Sequence, residues 1–147
     1  PDLILIGSAG SYDLTTEQWA EGTTRILEEH LTSAKQVAII APTYALAFNG
    51  VTCLEEHGGL EQARTLPQDT CTSPADNPQR ATAMTGLKLA VDSLPSATLI
   101  DLNDAVCPGK RCAALLDGAI VFRDNQHLTA SFAASLADNM RNALGIP

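Results

Sequence analysis

Positive charge and aromatic side chains are both scarce in this chain. Nine Lys and Arg face 17 Asp and Glu, for a formal net charge of −8. No Lys/Arg stripe interleaved with aromatics occurs, which excludes the phosphate-neutralising surface of a nucleic-acid binder. The acidic balance reads as a solvated surface. With three Phe, two Tyr and one Trp, the core is expected to be aliphatic, built from Leu, Ile, Val and Ala. No apolar run approaches the ~20 residues of a membrane span. The opening residues 1–7 lack the basic start and the length of a signal peptide. Any targeting segment is therefore expected outside this sequence, and the abrupt start on Pro1-Asp2 and a strand-like run suggests a fragment. There is no phosphate loop, no Gly-x-Gly-x-x-Gly and no metal-ligand cluster, so no nucleotide, metal or other cofactor is expected.

What is present suits one globular domain over residues 1–147, since 45% of the residues are hydrophobic and 18% charged. Four cysteines stand at Cys53, Cys71, Cys107 and Cys112. They form no C-x2-C pair, and the His residues are badly placed for a zinc knuckle. The even count in loop-like contexts favours disulfides. Pairing neighbours, Cys53 with Cys71 and Cys107 with Cys112, closes two short local loops, although the other two connectivities remain open. Disulfides imply an oxidising, extracytoplasmic compartment; four reduced buried thiols would imply the cytosol.

The apolar run at residues 3–6 predicts a strand buried on both faces. Thr15 or Thr16 can cap a helix over residues 17–32 whose inner face carries Trp19, Ile26 and Leu27. A second buried strand is expected at 37–41, ended by Pro42. Residues 43–78 are long and irregular, with a short helix expected near 54–63. A loop of this length in a compact domain needs a reason, and a Cys53–Cys71 bridge would supply one. Residues 79–94 have helical spacing, with Met84, Leu87, Leu89, Ala90 and Leu94 as core candidates. A third strand is expected at 98–102, a hairpin around Asp117-Gly118, and a last helix over 128–144 ended by Gly145 and Pro147. Alternation of this kind predicts an α/β fold, a parallel sheet with helices on both faces. Ligands bind beyond the carboxyl ends of such strands, so the segments after Ile6, Ala41 and Leu102 are expected to rim a site.

The chemistry is concentrated in Arg123-Asp124-Asn125-Gln126-His127-Leu128-Thr129. An Asp three residues before a His lets the His act as general base while the Asp fixes its tautomer and orientation. The bland alternative is an exposed His beside a helix-capping Asp. No convincing nucleophile accompanies the pair. Ser8 follows a buried strand but lacks a Gly-x-Ser-x-Gly elbow and reads as a plain loop serine. Asp101, Asn103, Tyr44 and Asn49 lie near expected strand ends. Backbone hydrogen bonding is the expected role of the first two, and pocket lining is open to the last two. His30 and His57 read as solvated.

The segment from Asp101 to Ala133 resembles the end of an SGNH (GDSL-like) hydrolase domain, of the kind fused to the membrane acyltransferase-3 domain of bacterial envelope O-acyltransferases. The resemblance rests on an ordered set: Asp101-Leu102, Cys107-Pro108 with Cys112, Asp117-Gly118, Ile120 to Phe122, Arg123 to Thr129, and the Ala-rich segment from Ala130. Cys53 and Cys71 in the long loop also look like that subgroup. The resemblance implies a flavodoxin-like three-layer sandwich, of which this chain is roughly the C-terminal two-thirds. It implies a catalytic His127 and Asp124. Gly10-Ser11-Tyr12-Asp13 falls at the family's oxyanion block, with Tyr12 where the family carries the donating Asn. The nucleophilic Ser would lie before residue 1.

The implied activity is acyl-ester transfer or hydrolysis through Ser-His-Asp chemistry. The implied partners are an acyl donor and an envelope glycan or glycolipid acceptor, with the domain tethered to a membrane acyltransferase outside the cytoplasm. The departure at Tyr12 also suggests a second possibility, a catalytically inactive glycan-binding accessory domain. A thiol-redox role is disfavoured, since Cys107 and Cys112 are too far apart for a C-x-x-C motif.

Overall fold

The computed structural model describes residues 1–146 other than Leu66 and Gln68. The chain divides into two compact units. One comprises Pro1–Thr43, Asn77–Leu102 and the segment from Met140; the other comprises Tyr44–Asp76 and Asn103–Asn139.

The first unit is built on three parallel strands: β1 (Leu3–Gly7), β2 (Gln36–Ile40) and β4 (Ala97–Ile100), in the order β1-β2-β4. Central β2 is the most buried, with Val37, Ala38 and Ile39 all inaccessible to solvent. Side chains alternate across a strand, so Val37 and Ile39 share one face. Onto that face pack α1 (Thr16–Leu31) and α4 (Pro78–Asp92), which contribute Trp19, Leu27, Ala83, Leu87 and Ala90.

Local chemistry sets where both helices start. Thr15 and Gln18 form a reciprocal capping box at α1. Asn77 caps α4, and Pro78 occupies a position whose N–H needs no partner. Gly86 lets the two helices touch. A Cβ there would strike Trp19 Cβ and lie 2.8 Å from the Thr16 carbonyl oxygen.

Three expected burials fail. Leu5, Ile26 and Leu89 are 48%, 46% and 55% exposed. β1 is a terminal strand of the three-stranded sheet, so its apolar run is not covered on both faces. Ile26 and Leu89 turn away from the helix–sheet contact that Leu27, Leu87 and Ala90 make.

The second unit contains α2 (Gly50–Glu56), α3 (Gly59–Ala63), β3 (Thr72–Pro74), α5 (Asn103–Val106), β5 (Arg111–Ala113), β6 (Leu115–Leu116), β7 (Ala119–Ile120) and α6 (Ala130–Ser135). Strands β3 and β5 pair antiparallel, as do β6 and β7. The β6–β7 turn has φ of 49° at Asp117 and 79° at Gly118, the two positive values a type I′ hairpin requires.

Disulfides join Cys53 to Cys71 and Cys107 to Cys112, the neighbour pairing. The segment expected to be irregular thus holds two short helices and a strand, tied down by one of the bridges. The expected last helix is two, α6 and α7 (Ala137–Leu144). Before the break Ser135 Oγ donates to the Phe132 carbonyl at 2.7 Å, a back-bond of the kind that bends helices. Gly145 follows with φ of 64°, and Pro147, the other expected stop, lies outside the described residues. Among the described residues, no helix is long and apolar enough to cross a membrane.

Alanine in place of a mid-helix glycine ordinarily gains roughly 0.5–1 kcal/mol. Gly86→Ala is expected to reverse that sign and lose about 1–3 kcal/mol through overpacking, read from the urea midpoint. An unchanged or raised midpoint would show that α1 and α4 separate without cost. Replacing Cys53 and Cys71 together by Ser should lower stability by about 3 kcal/mol, because the bridge closes a loop of 18 residues. A denaturation curve matching that of the parent under oxidising conditions would refute this.

Candidate active site

Arg123 to His127 form a short loop whose two ends are held together. Phe122 and Leu128 bridge across its base. The Arg123 N–H donates to the His127 carbonyl at 2.9 Å, and the Thr129 N–H to the Val121 carbonyl at 2.9 Å. Thr129 Oγ1 donates to the Ile120 carbonyl at 2.6 Å and accepts from the Phe132 N–H at 3.2 Å, so one hydroxyl both ties the loop to β7 and caps α6. Val121 and Phe122 are fully buried, and they anchor the loop in the core of this unit.

Within the loop the Asp124 carboxylate takes three donors. Oδ1 accepts from the backbone N–H groups of Gln126 and His127, both at 2.8 Å. Oδ2 accepts from His127 Nδ1 at 2.7 Å. The Arg123 guanidinium adds a longer ion pair at 3.8 Å. The two backbone donors, Gln126 first, and then the His127 ring hold the carboxyl down to about 2. At neutral pH Asp124 is therefore ionised and only accepts. Nδ1 is thus the donor in this contact, and Nε2 is left without a bonded partner among the described residues. The His127 side chain is 56% exposed. An imidazole in this tautomer can take a proton from a hydroxyl and return it to a leaving group.

A second segment is stitched to this loop. The Leu46 N–H donates to the Asn125 carbonyl at 2.8 Å, and the Gly50 N–H to the Asp124 carbonyl at 3.3 Å. Two buried side chains hold the same segment from its other side. Asn103 Oδ1 accepts from the Tyr44 N–H at 2.7 Å, and Ser73 Oγ from the Ala47 N–H at 3.1 Å. Asn103 is thus a backbone brace. Asn49 is exposed and caps α2 by accepting from the Thr52 N–H at 3.1 Å, which places the start of α2 against the dyad loop. Gly50 belongs to none of the expected catalytic patterns, yet it is part of this brace. A Cβ on it would lie 2.9 Å from Leu46 Cδ1 and 3.2 Å from Ala114 Cβ. The one signal for it in the sequence is the helix-capping pair Asn49-Gly50.

Gly10, Ser11 and Tyr12 belong to the first unit, in the loop after β1. Gly10 is buried, Ser11 exposed, and Tyr12 58% exposed with its ring centroid 6.1 Å from that of Trp19. Ser8 lies in the same loop. Among the described residues one group of metal-ligating type occurs, Cys53, His57 and Cys71. Its two sulfurs are bonded to each other, and His57 Nδ1 lies 2.8 Å from the Cys53 carbonyl. One ring nitrogen is all that remains as a ligand there.

The family described as "SGNH domain (fused to AT3 domains)" matches residues 3–142. No curated protein and no solved structure matches the chain.

The low value at Asp124 gives a signed pH effect. Its folded value lies below the unfolded value of about 4. Its contribution to stability is therefore present above pH 4 and is lost as pH falls towards 2. Between these values the parent should lose stability more steeply than Asp124→Asn, followed by urea unfolding. Superimposable acid limbs would sink the assignment.

Proposed function

We propose, from the premise that this chain belongs to the family of SGNH domains fused to AT3 domains, that it carries the base and orienting acid of an acyl-ester transferase or esterase. The family supports hydrolase or acyltransferase chemistry in general. The single observation that carries the finer reading is the 2.7 Å contact between His127 Nδ1 and an ionised Asp124, with Nε2 left without a bonded partner among the described residues.

In this reading, as the resemblance to the family implies, the nucleophile is a serine outside residues 1–147. His127 Nε2 takes the serine proton as Oγ attacks the acyl carbonyl. The carbon–oxygen bond to the donor alcohol then breaks, and the same proton passes from Nε2 to that alcohol. A glycan or glycolipid hydroxyl, or water, repeats the sequence in reverse on the serine ester. Asp124 stabilises the imidazolium in both halves. The backbone around Gly10 and Ser11 is the candidate source of oxyanion donors. Residues 1–147 then form the C-terminal part of one catalytic domain, tethered to a membrane acyltransferase and facing outside the cytoplasm. Two disulfides fit an oxidising compartment, and the family's AT3 fusion fits the tether.

One observation favours a second reading. Tyr12 stands where the family's oxyanion Asn is expected, so the domain could present glycan to its membrane partner without chemistry of its own.

The full-length protein decides between them. His127→Ala should lower turnover of an aryl acetate by roughly 10⁴-fold and Asp124→Asn by roughly 10²- to 10⁴-fold, with a fluorophosphonate adduct on serine lost in the His127 variant. Undiminished acetyl transfer to glycan in His127→Ala would leave the accessory role standing.

A further inference from the structure

Among the described residues, Arg80 is the arginine with a buried side-chain nitrogen that lacks a hydrogen-bond partner. It stands in the first turn of α4, where its backbone N–H donates to Asn77 Oδ1 at 3.1 Å. Its side chain runs along the loop that follows β1. A Cβ built on Gly10 would fall 3.3 Å from Arg80 Cγ, and 2.7 and 2.9 Å from Pro42 Cβ and Cγ. No positive φ demands glycine at position 10; the space taken by Arg80 and Pro42 does.

Arg80 Nε is buried and has no hydrogen-bond partner. None of the ion pairs among the described residues includes this side chain. That is unexpected in a chain with 17 carboxylates against nine Lys and Arg. Burial pulls the guanidinium below its ordinary range, yet an arginine stays charged in proteins. A half-buried charge without a partner is costly, and an anionic ligand that paired with it would remove that cost. The place is also informative. Gly10 follows β1 and Pro42 follows β2, so Arg80 sits at the carboxyl edge of the parallel sheet, the edge where open α/β sheets bind ligands. A planar fork of five N–H donors matches a carboxylate or a phosphate.

We propose that Arg80, seated against Gly10 at the carboxyl edge of the first-unit sheet, is the binding residue for an oxyanion, a carboxylate or phosphate group carried by the substrate. A uronic-type sugar would supply the first and a phosphorylated glycolipid the second. The word substrate rests on the acyl-transfer reading; the anion site itself does not.

The test is a ¹H–¹⁵N titration that follows the Arg80 Nε–H cross-peak, assigned by its loss in Arg80→Lys. Inorganic phosphate and acetate are added separately at constant ionic strength. Saturable movement of that peak is expected, with affinity at least tenfold weaker in Arg80→Gln and less weakened in Arg80→Lys, followed through the Gly10 and Ser11 amides. Tighter binding of phosphate assigns a phosphorylated source, and tighter binding of acetate a carboxylate source. Movement that never saturates, or equal affinity in Arg80→Gln, would mean an adventitious ion only and overturn the proposal. If Arg80→Gln does not fold, the parent titration and Arg80→Lys still decide. Binding is read without turnover, so an inactive dyad and an absent anion site give different results.

Discussion

One carboxylate organises the candidate catalytic loop. Asp124 accepts from two backbone N–H groups of its own loop and from the ring it orients, while its carbonyl accepts from Gly50. The first two bonds fold the loop so that the His127 ring falls beside Oδ2. The third selects the tautomer. The ring is thereby held in place by the folded loop itself, as the proposed role of a preorganised base requires. Substituting Asp124 would therefore remove a backbone brace as well as a charge.

That loop keeps its shape because its ends are fastened to buried residues. Phe122 and Val121 are inaccessible, and Thr129 joins β7 to α6 through one hydroxyl. The segment from Tyr44 to Gly50 adds a second brace, held by Asn103 and Ser73, two of the few buried polar side chains. Both make the hydrogen bonds that their burial demands. The bridge from Cys53, in α2, to Cys71, next to β3, ties the excursion at a further point.

The first unit depends on close packing of small and aliphatic residues. Val37, Ile39, Leu27 and Leu87 fill the contact, and Gly86 lets α1 lie against α4 at the level of Trp19. The loop after β1 is shaped by the same logic. Gly10 yields its side-chain space to Pro42 and Arg80, and Tyr12 leans towards Trp19 while staying largely exposed. Tyr12 thus has an aromatic neighbour, and its loop also lies along a guanidinium whose buried Nε has no hydrogen-bond partner.

Features set by near neighbours along the chain are legible in the sequence itself. The helix cap at Thr15, the hairpin at Asp117-Gly118 and the Asp124–His127 pair depend on residues a few positions apart, whose geometry local bonding dictates, while the three strands show as apolar runs whose parallel pairing is implied by their alternation with helices. Neighbour pairing of the cysteines is one of three connectivities open to four cysteines, and it is the one the fold adopts. Features set by distant neighbours are not legible in this way. Leu5, Ile26 and Leu89 look as apolar as Leu27 and Leu87, and only the packing partner decides which are covered. Gly50 reads as loop punctuation until its N–H is found on the Asp124 carbonyl. Nothing in the sequence singles out Arg80, which Gly10 and Pro42 along its stem set apart. Sequence alone determined the pairing of Asp124 with His127, because three residues of spacing suffice for a carboxylate to reach an imidazole. Tertiary structure decided what braces that dyad and which charge is left without a partner, because both depend on burial, and burial is a property of whatever packs alongside.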